Sequence, residues 1–236
     1  MDTTGQPESN TSTHRIEILP DDYANYDLSF KLIVIGDSGV GKSCLTNKAT
    51  KNTFETAYNT TIGFEFFSFN IKINDKVLKL QIWDTCGQEL YHSLITNFYR
   101  NSSLAIMVYS ITSKESFDNI DTWLKELKLH SNPDAKVFLI GNKQDLEENR
   151  VVSTEQGNTY SKEFGFSYFT ETSAKTGFNA RNVFIEAAKI LYDDYQKYKD
   201  RTESVSTNGS FRQTFVSITD GNNNQDDKKK KCWCKD

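Results

Sequence analysis

The chain has 236 residues, of which 36% are hydrophobic and 25% charged, with a formal net charge of −4 at pH 7. That length suits one globular domain with room for tails and buries a core without staples, and the charge excludes a nucleic-acid binder with a strongly basic body. Cys44 and Cys86 lie inside motif regions while Cys232 and Cys234 sit near the end, so the four cysteines outline no disulfide framework and a reducing, cytosolic setting is expected. The N-terminus lacks an apolar signal segment, Asp2 rather than glycine follows Met1, and no apolar stretch reaches the length of a membrane span.

In chain order, residues 1 to 28 are rich in Ser, Thr, Asn and acids and read as a flexible arm, with the ordered part beginning near Phe30. Six apolar runs follow, at Phe30 to Ile35, Phe64 to Ile73, Leu78 to Trp83, Leu104 to Ser110, Val137 to Asn142 and Ser167 to Thr170. They alternate with helical patterns at Lys42 to Ala49, Phe117 to Leu129, Thr154 to Phe164 and Ala180 to Tyr198. This alternation predicts an α/β fold with a six-stranded, mostly parallel sheet and helices on both faces. Only Asn74 and Asp75 separate the second and third runs, too few for a parallel crossover, so those runs form a hairpin and one edge strand is antiparallel. In the last helix Val183, Phe184, Ala187, Ala188, Leu191 and Tyr195 make one apolar stripe. The expected organisation is an arm over 1–28, a domain over 29–200, and a Ser/Thr/Asn-rich tail over 201–236 ending in Lys228 to Lys231 and Cys-Trp-Cys-Lys-Asp.

Directly behind the first run stands Gly36-Asp37-Ser38-Gly39-Val40-Gly41-Lys42-Ser43, a G-x-x-x-x-G-K-[ST] phosphate loop in its strand-to-helix setting. Glycines let successive N–H groups point at phosphate oxygens, and the helix N-terminus adds partial positive charge. Lys42 reaches the β- and γ-phosphates, and Ser43 offers a hydroxyl to Mg²⁺, a cation content with one or two protein oxygens plus phosphate and water. The loop alone does not choose between ATP and GTP, nor between a kinase and a hydrolase. Asp84-Thr85-Cys86-Gly87-Gln88-Glu89 follows the third run, placing a carboxylate near a Mg²⁺-bound water, a glycine N–H near the γ-phosphate and Gln88 beside the attacking water. Taken alone it is also a common acidic turn after a strand. Asn142-Lys143-Gln144-Asp145 ends the fifth run, where open α/β sheets bind ligands. Asp145 can accept from both the ring N–H and the exocyclic amino group of guanine, a donor pair that adenine lacks. Glu171-Thr172-Ser173-Ala174-Lys175 closes the other side of the base or serves only as a helix cap.

From Phe30 to Tyr198 these residues resemble the Ras superfamily of small GTPases, with the P-loop NTPase G-domain fold, and within it the Rab family. The Rab leaning rests on Lys79-Leu80-Gln81-Ile82-Trp83-Asp84-Thr85, Ile62-Gly63-Phe64-Glu65-Phe66 and Val108-Tyr109-Ser110-Ile111-Thr112. The resemblance implies a nucleotide site of Asp37, Ser38, Gly39, Val40, Gly41, Lys42, Ser43, Cys44, Phe54, Tyr58, Thr61, Asp84, Gly87, Asn142, Lys143, Asp145, Ser173, Ala174 and Lys175. In it Phe54 packs on the guanine, Tyr58 covers the phosphates, and Thr61 joins Ser43 and Asp84 around Mg²⁺. Gln88, Lys42 and Thr61 carry catalysis. Ile62, Gly63, Phe64, Glu65, Phe66, Trp83 and Phe98 make an effector surface, although core packing is the plainer reading of Trp83. Two departures are visible: Leu90-Tyr91-His92-Ser93-Leu94-Ile95 replaces a more basic run, and Asn101 stands where glycine is common. Cys86 takes a position usually held by alanine.

At the C-terminus, two thiols without a nearby histidine give an incomplete zinc shell, and a disulfide between near neighbours would be strained. Cys232-Trp233-Cys234 is no C-a-a-X box but resembles the paired cysteines of doubly geranylgeranylated Rab proteins, departing from them in the extension Lys235-Asp236. The expected protein is a monomer that binds GTP/GDP with Mg²⁺, hydrolyses GTP slowly without an activator, and switches membrane traffic from the cytosolic face of a membrane. Its partners are an exchange factor, a GTPase-activating protein, effectors, and the prenylation and membrane-extraction machinery, with no nucleic acid. The alternative is a GTP-bound signalling adaptor of the wider superfamily with little hydrolysis and no role in traffic.

Overall fold

Along β2 (Leu28–Ile35) successive buried side chains serve two different cores, Leu32 and Val34 one of them, Ile33 and Ile35 the other. Side chains alternate across a strand, so a strand apolar on both faces needs cover on both. The same alternation runs through β5 (Leu104–Ser110) and β6 (Lys136–Asn142): Leu104, Ile106, Val108, Phe138 and Ile140 face the first core, Ala105, Met107, Tyr109 and Leu139 the second. The first core is covered by α1 (Lys42–Lys51) through Leu45 and Ala49 and by α5 (Ala180–Ser204) through Val183, Phe184, Ala187, Ala188 and Leu191. The second is covered by α2 (Lys114–Asp118) and α3 (Ile120–His130), and α4 (Thr154–Glu163) brings Tyr160 to its margin. Helices on both faces are thus a consequence of strands with no polar face.

This computed structural model describes residues 14–54, 63–85, 98–204 and 216–217. Tyr58, Thr61, Ile62, Cys86, Gly87, Gln88, the run from Leu90 to Ile95, Cys232 and Cys234 lie outside the described residues, as do residues 1–13 and most of the tail. No helix among the described residues is long and apolar enough to cross a membrane.

Seven strands lie side by side, in the order β1 (Ile16–Leu19), β3 (Phe64–Ile73), β4 (Lys76–Thr85), β2, β5, β6 and β7 (Tyr168–Glu171). The two-residue β8 (Val216–Ser217) pairs with Leu28 and Ser29 of β2. Strands β4, β2, β5, β6 and β7 are mutually parallel, and β3 returns antiparallel to β4 through Asn74 and Asp75, with Ile73 opposite Lys76. Asn74 takes φ 56°, a left-handed conformation that asparagine tolerates in tight turns.

The edge beside β3 carries one strand more than the apolar runs predict. Six strands were expected, with residues 1–28 read as a flexible arm, but β1 lies antiparallel on β3, from Ile16 opposite Ile73 to Leu19 opposite Asn70, giving seven strands on the path rather than six. Ile-Glu-Ile-Leu is too short to declare a strand by itself; the open edge of β3 supplies its hydrogen-bond partners. Asn70 Nδ2 donates to the carbonyls of Pro20 at 2.8 Å and Asp21 at 3.0 Å, which fastens the connection beyond β1.

Helix ends differ for identifiable reasons. The helix expected from Phe117 to Leu129 is two, because the Ser113 side chain accepts from Ser116 N–H and starts α2 early, and Asn119 separates it from α3. In α3, Ile120, Trp123, Leu124 and Leu127 form the buried stripe. A short 3-10 helix at Gln144–Asn149 and the extension of α5 to Ser204 carry no strong periodic signal in the sequence. The carboxyl ends of β2, β4, β6 and β7 end at one side of the sheet, and their loops build the site.

Candidate functional site

The loop after β2 is shaped by backbone that no side chain could share. Gly36 has φ 137°, and a Cβ placed on it would stand 2.1 Å from the Val108 carbonyl oxygen of β5. Gly41 has φ 94°, and its Cβ would stand 2.5 Å from Asn142 Nδ2. Gly41 is also the N-cap of α1 and brings no side chain to cap it, so the first N–H groups of the helix face the loop. Lys42, only 5% exposed, folds back over this turn and donates from Nζ to the carbonyls of Gly36 at 2.8 Å and Asp37 at 2.7 Å. Its ammonium is thereby fixed over the concave face of the loop. Ser38 and Gly39 are exposed at the tip, Val40 is buried in the first core, and half-buried Cys44 packs against it.

Behind the loop, the Ser43 hydroxyl donates to Asp84 Oδ2, while Asp84 Oδ1 is buried with no hydrogen-bond partner among the described residues. Burial pushes the Asp84 carboxyl up to about 7, against the Ser43 hydrogen bond and the charge of Lys42, with Glu65 adding to the rise. A buried carboxylate with an orphaned oxygen beside a serine hydroxyl is the donor set of a small hard cation that takes its remaining ligands from phosphate and water. Among the described residues no cluster of three or more His, Cys, Asp or Glu stands together, so the site does not resemble an all-protein metal cage. The residues present therefore fit Mg²⁺.

Asn142, buried at the end of β6, joins three loops. Its Nδ2 donates to the carbonyls of Val40 at 2.9 Å and Gly41 at 3.3 Å, and its Oδ1 accepts from Thr172 Oγ1 at 3.1 Å and Ala174 N at 3.2 Å. Placed in the nucleotide site by its motif, this side chain spends both ends on protein and works by positioning. Lys143 follows with φ 69°, turning the chain into the 3-10 helix, and Asp145 Oδ1 accepts from Ser173 Oγ at 2.6 Å. The Ser173 oxygen also accepts from Thr176 N at 3.0 Å. Lys175 is exposed at the rim, Ala174 is buried, and half-buried Phe54 packs against the first core after α1. Arg150, which the motifs did not point to, donates to both oxygens of Glu171 at 2.7 Å and anchors the start of the last loop.

Asp37 divides its two ends between the loop and a helix. Its carbonyl belongs to the loop, but its carboxylate accepts from Asn119 Nδ2 and Trp123 Nε1, both at 2.8 Å, and so faces α3. Neither partner was visible as a site residue, because they lie 82 and 86 residues away and belong to no local motif.

A second feature lies across β3 and β4. Phe64 and Phe66 are 51% and 48% exposed, more than a core role allows. Their rings stand 5.4 Å from Trp83, and Phe98 is 4.8 Å from Phe64 and 5.6 Å from Trp83. Trp83 itself packs against the second core and carries the Lys31 ammonium 5.3 Å from its ring, so it joins core and surface. Glu65 and Gly63 are exposed beside it.

Residues 31–193 match the model of the Ras family, and the chain belongs to that family.

Proposed function

We propose that this Ras-family small GTPase is a Rab-like switch of membrane traffic, with residues 29–200 as its nucleotide domain and 201–236 as its anchoring tail. One observation carries the reading of the site: the phosphate loop, the buried Asp84 and the Asp145–Ser173 pair stand on separate strand ends, and Asn142 ties the loop to the base side. That arrangement suits a ligand with phosphates at one end and a base at the other.

On this reading the loop amides and the Lys42 ammonium hold the β- and γ-phosphates, and Asp145 accepts from the two guanine donors while Ser173 keeps its carboxylate aligned. Ser43 and Asp84 hold Mg²⁺ with Thr61, and the cation supplies charge neutralisation on the phosphate oxygens when bound. Gln88 orients the attacking water, and Lys42 and the loop amides stabilise charge as it spreads over the transferring group. Thr61 and Gly87 touch the γ-phosphate side, so loss of that group releases both segments and alters the surface around Phe64, Phe66, Trp83 and Phe98. An activator raises the slow intrinsic turnover and an exchange factor restores the GTP form. Cys232 and Cys234 carry prenyl chains, Lys228 to Lys231 add attraction to an anionic cytosolic leaflet, and a soluble carrier extracts the lipidated protein.

Two measurements test this. Single-turnover assays of the full chain should show phosphate release that depends on Gln88; turnover equal in the wild type and Gln88→Leu would remove hydrolysis from the reading. Vesicle flotation of prenylated wild type against Cys232→Ser/Cys234→Ser should find only the wild type with membrane, and flotation of both would remove the lipid anchor.

A further inference from the structure

We infer that Asn119 and Trp123 are positioning residues for the nucleotide phosphates: they hold the Asp37 carboxylate out of the phosphate loop and thereby set how tightly a diphosphate is retained. The inference rests on the assignment of this loop to a guanine nucleotide. Asp37 immediately follows Gly36 in the loop, where a carboxylate turned inward would stand among groups that bind phosphate and would repel it. Both of its oxygens are instead engaged from α3 and the residue before it, by Asn119 Nδ2 and Trp123 Nε1 at 2.8 Å each.

The geometry suits that task. Asn119 and Trp123 are four residues apart, so on a helix they stand on one face and form a fork. Trp123 is 4% exposed, and its indole N–H finds its acceptor in this carboxylate. Both donors are neutral; they solvate the charge without cancelling it, and the loop gains no competing cation. The backbone of the same residue completes the link, because the Asp37 carbonyl accepts from Lys42 Nζ at 2.7 Å. A single residue thus connects α3 to the ammonium that faces the phosphates, and releasing its side chain both frees a negative charge and loosens the Lys42 seat.

A role in packing alone would weaken the protein whether or not Asp37 carries a charge, which gives the test its form. GDP dissociation would be followed by fluorescence on the full-length chain for Trp123→Phe, Asn119→Ala and Asp37→Ala, and for each fork variant combined with Asp37→Ala. GMP affinity would be measured alongside. Trp123→Phe and Asn119→Ala should each release GDP about tenfold faster, the loss expected for one hydrogen bond to a charged group. GMP affinity should move by less than about twofold, and in the Asp37→Ala background each fork variant should change GDP release by less than about twofold. Equal acceleration with and without the Asp37 carboxylate would overturn the inference, as would unchanged GDP release in the single variants. A wild-type chain that fails to bind GDP would overturn the nucleotide assignment and this inference together. If Trp123→Phe does not fold, the half-buried Asn119→Ala carries the same comparison.

Discussion

Asp145 accepts one hydrogen bond from Ser173 at 2.6 Å and, as a carboxylate, keeps lone pairs for two more donors. Guanine offers such a pair. Asp145→Asn turns one acceptor into a donor, which suits the second carbonyl of xanthine, so the GTP-to-XTP preference should fall by about a hundredfold or more in competition binding. Unchanged GTP selectivity would remove Asp145 from base reading. Asn142 makes the opposite case, since its side-chain amide gives four hydrogen bonds to protein, two from Nδ2 and two to Oδ1. Asn142→Ala orphans buried groups on three loops and should cost about 3 kcal/mol in denaturant unfolding, and nucleotide affinity should fall with it. A variant with wild-type stability and weakened binding would instead mean direct ligand contact. Both residues were legible in the sequence as members of one motif, but their different roles were not. Which end of an amide meets which loop is settled by partners about 30 and 100 residues away. The direction of the Asp37 carboxylate was not legible for the same reason: local spacing located its backbone, and only α3 and the residue before it decided where its side chain turned.

The elements were most legible where an apolar run marks its own ends and least where a partner creates the element. β3 and β5 begin and end where their apolar runs do, whereas β1 becomes a strand only beside β3. The capping box of α4, with Ser153 and Gln156 exchanging hydrogen bonds, fixed that helix start as the sequence indicated. Within the same helix Gly157 runs against propensity, where alanine would be preferred by about 1 kcal/mol. Its cause is packing, since a Cβ there would lie 2.5 Å from the Tyr109 hydroxyl and 2.6 Å from Phe169 Cζ. Both rings sit against the second core, with Tyr109 fully buried, so neither can step aside freely. Gly157→Ala should therefore destabilise the protein by about 1–3 kcal/mol in spite of its better propensity. A raised melting temperature would show that α4 can move away from the sheet at little cost.

For the whole molecule, the open question of any sheet is its edge, and here the N-terminal segment closes part of it. β1 covers β3 from Asn70 to Ile73, and the segment returns to the sheet through Asp27, whose carboxylate accepts from Val77 N–H at 2.7 Å and from Lys76 Nζ at 3.0 Å. Burial alone would raise the Asp27 carboxyl, but the hydrogen bonds from Val77 and Lys76 and the charge of Lys76 outweigh it, and the net shift is below the ordinary value of 3.8. A group whose folded value lies below its unfolded one stabilises the fold above the unfolded value, and that contribution is lost as pH falls through the folded value. The tie between segment and hairpin is therefore complete at neutral pH and fails only in acid. Asp27→Asn keeps the shape, removes the charge and places an amide donor where the carboxylate accepted. Its melting temperature should lie below that of the wild type at pH 7, by a modest amount because the pair is partly solvated. As pH is lowered past 3.8 the wild-type carboxyl protonates and the two melting curves should draw together. A constant difference from neutral pH into acid would mean that the charge of Asp27 contributes nothing and that the variant differs only through its misplaced amide donor, leaving the edge held by the β1 ladder and Asn70.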